Sequence, residues 1–226
     1  MMQKVILTNI DVNFSYNIML KSTKDVELTI NYTGGNIMSY EMGKYISGVS
    51  ERYDDRLARL IRDPVIFVHI DTTGLDANRD HISRLSIIAD DMLVYCNVFK
   101  CDTSRMSNRA VDVSGITRED INASDVTFAD EIPVISSMIT GKLICCTSKD
   151  FMLDFMANEG LALNRDDVID LKAIVGMMNG TYSRTSMADV LKALLPDTVD
   201  KSVPDTTFER NFKMYSAACN LKEQIS

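Results

Sequence analysis

From residue 64 onward the chain alternates short apolar runs with amphipathic stretches. Val65-Ile66-Phe67-Val68-His69-Ile70 is continuously apolar up to His69, which predicts a strand buried on both faces in the middle of a sheet. Residues 84–89 and 92–99 predict two further strands. After a loop, Thr117 followed by Arg118, Glu119 and Asp120 has the N-cap and first-turn acids of a helix start. Residues 128–139 and 149–159 predict helices on either side of a short buried strand, Leu143-Ile144-Cys145-Cys146, with Pro133 near enough to the start of its helix to be tolerated. Residues 168–178, 186–195 and 208–224 predict three more helices. Strands first, then strand alternating with helix, then helices: this order predicts an α/β layer architecture around a mixed sheet.

Residues 1–62 follow another rhythm. Val26-Glu27-Leu28-Thr29-Ile30-Asn31-Tyr32 alternates with period two, as a half-exposed strand does, and Thr33-Gly34-Gly35-Asn36 closes it as a turn. A second alternating stretch at residues 4–14 is a candidate to pair with it. Residues 43–62 carry Tyr45, Ile46, Val49, Tyr53, Leu57, Leu60 and Ile61 at helical spacing, and Asp63-Pro64 ends that helix. The expected division is an accessory element of strands plus a helix over 1–62 and a main domain over 63–226.

Composition changes this picture little. The 226 residues are 46% apolar and 25% charged, ordinary values for a globular protein. No apolar run approaches the ~20 residues that span a bilayer. The first residues, with a single lysine and a short apolar stretch, read as a strand rather than a leader, so a cytoplasmic protein with no membrane partner is expected. The five cysteines, Cys96, Cys101, Cys145, Cys146 and Cys219, have no metal-ligand spacing and read as reduced thiols. A net charge of −8 argues against non-specific coating of nucleic acid, but not against a nuclease whose acidic site carries its own cations.

Four segments then resemble, in order, the motifs of the DnaQ-like 3′–5′ exonucleases. His69-Ile70-Asp71-Thr72-Thr73-Gly74-Leu75-Asp76 is similar to the first motif, Asp-x-Glu-Thr-Thr-Gly-Leu. Asp80 to Ile88 resembles the acid and apolar strand that follow it, and Gly115-Ile116-Thr117 resembles the family's Gly-Ile-Thr helix start. Thr127 to Ile144 resembles the helix and strand that lead to the second motif. The resemblance runs from Pro64 to about residue 222. It implies an α/β, ribonuclease H-like three-layer fold with a central mixed β-sheet, to which residues 1–62 add a small α+β N-terminal extension. It also implies a family chemistry in which four carboxylates hold two divalent ions that hydrolyse a phosphodiester, with a histidine or tyrosine as base.

Carried over position by position, the resemblance exposes departures. His69 stands where the family has Asp, and Asp71 where it has Glu. Cys145-Cys146-Thr147-Ser148-Lys149-Asp150 spans the second motif, His-Asn-x-x-Phe-Asp, so Asp150 keeps its carboxylate. Pro204-Asp205-Thr206-Thr207-Phe208-Glu209 spans the third, His-x-x-x-x-Asp: Glu209 is the acid, Pro204 cannot act as a base, and Asp205 falls where the tyrosine branch has its base. The metal set implied is therefore His69, Asp71, Asp150 and Glu209, holding Mg²⁺ or Mn²⁺ if functional, with Asp205 as a substitute ligand or base. Each also has an ordinary structural role open to it: Asp71 as a turn cap, Asp150 as a helix first-turn acid, Glu209 on an exposed helix face, and His69 as a hydrogen-bonded core residue.

One carboxylate fewer and a missing base imply an exonuclease scaffold that has lost most or all hydrolysis and acts as a binding or assembly module in DNA or RNA metabolism. The partners implied are the 3′ end of a single strand and a replication or repair protein. A divergent but active metal-dependent 3′–5′ exonuclease is the alternative, and an interaction module unrelated to nucleic acid a lesser one.

Overall fold

The computed structural model describes residues 4–8, 14–22, 25–32, 58–178, 185–195 and 206–225. Residues 63–221 form one compact unit, and residues 1–62 with 222–226 another.

In the first unit three strands, β1 (Lys4–Thr8), β2 (Phe14–Ser22) and β3 (Asp25–Tyr32), form an antiparallel sheet in the order β1-β2-β3. The expected strand at 26–32 is β3. Its neighbour is not the stretch at 4–14: β2 lies between, pairing Ile18 with Leu28 on one side and with Val5 on the other. The sequence Phe14-Ser15-Tyr16-Asn17-Ile18 alternates as cleanly as β3 does, and only a boundary placed too late concealed it. Of the helix expected over 43–62, residues 58–62 are helical (α1) and the rest, like the turn at 33–36, lies outside the described residues.

The second unit is built on a five-stranded sheet in the order β6-β5-β4-β7-β8. β4 (Val65–Thr72), β5 (Ile82–Ala89) and β6 (Met92–Val98) are an antiparallel meander, and β7 (Leu143–Cys146) and β8 (Val168–Asp170) add to β4 in parallel. Helices cover the sheet, in chain order α2 (Asn108–Ser114), α3 (Arg118–Ala123), α4 (Phe128–Ile139), α5 (Lys149–Asn158), α6 (Leu171–Met178), α7 (Met187–Leu194) and α8 (Thr207–Ile225). This is the α/β, ribonuclease H-like arrangement with a central mixed sheet. Thr117 with Asp120 forms the cap the sequence implied for α3, and Thr127 with Asp130 forms a second capping box at the start of α4.

In the second unit the structure corrects the sequence reading of the elements at two places. Residues 168–178 are not one helix; Val168 and Ile169 are buried in β8, and Asp170 turns the chain into α6 by accepting from Lys172 N at 2.9 Å and Ala173 N at 3.3 Å. A three-residue strand is too short to show period two, so its apolar residues were absorbed into the following helix. The loop before Thr117 contains α2, whose N-cap Ser107 accepts from Ala110 N and whose end is set by Gly115 at φ 70°.

The pleat of β4 decides what becomes core and what becomes site. Ile66, Val68 and Ile70 point to one face, into a cluster with Leu85, Ile87, Phe128, Ile135, Phe155 and Met156. Phe67, His69 and Asp71 point to the other face, where Arg84 and Ser86 of β5 lie opposite Asp71 and His69. Asn211 of α8 donates to Ser86 Oγ at 3.4 Å, which places α8 over that second face.

Candidate functional site

Asp71 is the next-to-last residue of β4 and is 8% exposed, the one buried carboxylate among the described residues. A carboxylate in that position needs partners or it must neutralise. It has two. His69 Nε2, two residues back on the same face, is 3.4 Å from Oδ1. Arg84, its register partner on β5, brings Nε to 2.8 Å and Nη2 to 2.7 Å of Oδ2. Burial alone pushes the Asp71 carboxyl up, but the hydrogen bond and charge of His69 and the charge and hydrogen bond of Arg84 outweigh it and hold it below its usual value.

Arg84 ties more than the two strands. Its Nη2 donates to the Ser114 carbonyl at 3.0 Å, at the C-terminal end of α2 where a cation is favoured, and its guanidinium carbon lies 5.0 Å from the centre of the Phe208 ring at the start of α8. The side chain is 11% exposed. One largely covered guanidinium thus joins β4, β5, the end of α2 and the start of α8. The sequence reading missed it. The available signal was a lone cation inside the otherwise apolar and small run Ile82-Ser83-Arg84-Leu85-Ser86-Ile87-Ile88-Ala89.

The other expected residues lie as follows. Asp150 is the second residue of α5, in its first turn, with an exposed side chain, and forms an ion pair with Arg165. Lys149 beside it is buried and donates from Nζ to the carbonyls of Arg165 and Val168. Glu209 is the third residue of α8, and its Oε2 accepts from Thr206 N and Oγ1, both at 2.8 Å, while Thr206 Oγ1 accepts from Glu209 N. That is a capping box, legible in Thr206-Thr207-Phe208-Glu209. Asp205 and Pro204 lie outside the described residues. The structure therefore brings His69 and Asp71 together; Asp150 and Glu209 engage other partners. Among the described residues no three His, Cys, Asp or Glu side chains are grouped as a metal site would need.

Comparisons with known proteins bear on the fold only. No protein-family model matches the chain, and no curated protein does. Solved structures of exonuclease I do resemble it. A product-bound form shares 14% identity at TM-score 0.47, over 70% of this chain and 43% of that one. A complex with the inhibitor BCBP shares 13% at 0.49, over 70% and 41%. The Escherichia coli enzyme with a 5cy-dA13 oligonucleotide shares 15% at 0.46, over 71% and 40%. The chain thus spans less than half the length of these proteins. At such identities and scores the likeness says nothing of chemistry.

The residues present do not fit the pair of Mg²⁺ or Mn²⁺ ions that the resemblance implies. Hard cations need several oxygen ligands turned toward one point. Here Oδ2 of Asp71 faces a guanidinium, Oδ1 faces an imidazole, and Asp150 is held by Arg165. Among the described residues no helix is long and apolar enough to cross a membrane.

Proposed function

We propose that residues 63–226 keep an exonuclease-like scaffold without two-metal hydrolysis, and serve as a binding or assembly module in DNA or RNA metabolism. The observation that carries this reading is the Asp71–Arg84 pair: the first-motif carboxylate that would hold an ion is engaged by a cation built into the neighbouring strand. An arginine cannot supply what a metal supplies, since it neither lowers the pKa of a bound water into the neutral range nor leaves. With His69 in place of an acid, the site is also one negative charge short. A candidate ligand is the 3′ end of a single strand, held by the fold's binding surface without being cut, and candidate protein partners belong to replication or repair.

The test is degradation of end-labelled single-stranded DNA and RNA by the full chain in Mg²⁺ and in Mn²⁺, beside an active exonuclease. Hydrolysis at least ~10²-fold slower is expected. Anisotropy of the same oligonucleotides measures binding separately. Robust degradation that Asp71→Asn or Asp150→Asn abolishes would overturn the reading.

A further inference from the structure

On its β6 side the sheet ends in an edge that is only partly closed. Among the described residues β6 pairs with β5 alone. Its first three residues, Met92, Leu93 and Val94, are 61%, 40% and 38% exposed, and Met92–Val98 contains no charged side chain. Proteins ordinarily guard such an edge with lysine, proline or a covering loop. Phe99 N donates to Ser83 O at 2.9 Å, so the alternation of an antiparallel ladder turns the backbone groups of Cys96 and Val98 outward. Val98 is covered: its carbonyl accepts from Ser124 Oγ at 2.7 Å, and Lys100 N donates to Val126 O at 2.7 Å. The open part runs from the β5–β6 turn to Cys96.

The turn itself is acidic. Asp90 and Asp91 both adopt left-handed backbone, at φ 49° and 56°, where Asn-Gly is the favoured pair. Both side-chain carboxylates stand at the tip, exposed, and the backbone of both residues lies beside the Tyr215 hydroxyl of α8. A fixed acidic pair therefore adjoins a fixed apolar strand edge.

We propose that this edge docks an extended peptide segment of another protein, added as a strand beside β6. Its apolar side chains would lie along Met92, Leu93 and Val94, and its Lys or Arg side chains would meet Asp90 and Asp91. Charge complementarity selects this occupant over a second copy of the chain. Two β6 strands crossing antiparallel within the open part, centred on Val94, set Asp90 and Asp91 directly opposite Val98 and Asn97 of the other copy, both uncharged. They also place on the two-fold axis the residue that the β5–β6 register skips, Val94, between Leu93 opposite Ile88 and Tyr95 opposite Ile87. A net charge of −8 on each copy opposes the pairing further.

This inference stands apart from the loss of hydrolysis, because its test reads peptide binding and no nuclease activity. The probe is a fluorescein-labelled peptide of two lysines followed by alternating valine and threonine, titrated with the full chain and followed by anisotropy. Saturable binding below ~1 mM is expected, with the same peptide carrying glutamates in place of lysines binding more weakly. Asp90→Asn with Asp91→Gly installs the favoured turn residues while removing both charges, so the protein stays folded and the lysine peptide should bind about five- to tenfold more weakly. Leu93→Lys, which blocks the edge in the way natural edges are blocked, should abolish binding. Absence of binding by the unmodified chain overturns the proposal, as does equal binding by all three proteins or equal binding of both peptides. So does dimerisation in sedimentation that Leu93→Lys removes, which would make a second copy the occupant.

Discussion

Replacing Arg84 with methionine keeps a long apolar side chain beneath Phe208 and removes only the charge and its donors. What is lost is read directly from the structure: two nitrogens at 2.8 and 2.7 Å from Asp71 Oδ2 and a third contact to the Ser114 carbonyl at 3.0 Å. The cation over the Phe208 ring goes too. What remains is a carboxylate 8% exposed, facing His69 alone. Removing one partner of a buried pair costs about 3–5 kcal/mol, and the ring contact adds about 0.5–1 kcal/mol. Arg84→Met should therefore cost ~4 kcal/mol, a large share of the 5–15 kcal/mol typical of a domain. Asp71→Leu alone strands the guanidinium and should cost a similar amount. The double variant strands neither charge, and apolar replacement of a whole buried pair is often neutral or better. Urea unfolding followed by circular dichroism at 222 nm, on all four proteins, gives the coupling energy. A double variant within ~1.5 kcal/mol of the unmodified protein is expected. If the two single costs simply add, or if Arg84→Met costs under ~1 kcal/mol, the pair is not the element that joins β4, β5, α2 and α8.

Further expectations follow from the same face and its loops. The Asp71 carboxyl is held below its ordinary value, so its contribution to stability is present above the unfolded pKa, ~3.9, and is lost as pH falls through the lower folded value; unfolding free energy measured from pH 6 down to 2 should fall less steeply in Asp71→Asn than in the unmodified chain. A Cβ at Gly74 would lie 2.2 Å from Asp80 Oδ2, an oxygen fixed by the Asp76 N–H at 2.9 Å; Gly74→Ala should lower stability by about 1–3 kcal/mol in thermal unfolding, and Asp80→Ala in the same chain should relieve it. Thr206→Ala removes the cap of α8 and leaves Glu209 without its capping-box partner, at ~1 kcal/mol by the same measurement, with nuclease activity no different from the unmodified protein.

How much of this was legible in the sequence depends on what each residue had to reveal. Strongly patterned elements were: β4 as an unbroken apolar run, α3 through its cap Thr117, α4 as the helical stretch 128–139, and β7 as Leu143–Cys146 with all four residues buried. β8 was not, because three residues are too few to show a period of two, and α2 was passed over inside a polar stretch read as loop. The site was legible in part. Asp71 was named, and its partner His69 was named as a hydrogen-bonded alternative to a ligand. Arg84 was missed because its meaning is a cross-strand fact: thirteen positions separate it from Asp71, and only the register that pairs them puts the guanidinium on the carboxylate. Glu209 was read as an acid of the third motif, while the Thr-x-x-Glu spacing carried the other meaning that the geometry displays.

The chemistry of the first-motif strand turns on where its cation comes from. A divalent ion is exchangeable, brings its own water and gathers carboxylates from several elements, so it serves catalysis and assembly together. In the function proposed above, a guanidinium tethered to β5 keeps the second role and drops the first. It gathers Asp71, the Ser114 carbonyl and the Phe208 ring from three other elements, as a metal gathers ligands. It brings no activated water. His69 fits the same logic, since an imidazole beside an already paired carboxylate adds a hydrogen bond where a second carboxylate would add repulsion and leave the Arg84 charge outnumbered. Substituting His69→Asp in the unmodified background therefore presses two acids onto one arginine and should destabilise the fold. Restoring metal binding would require removing Arg84 in the same step.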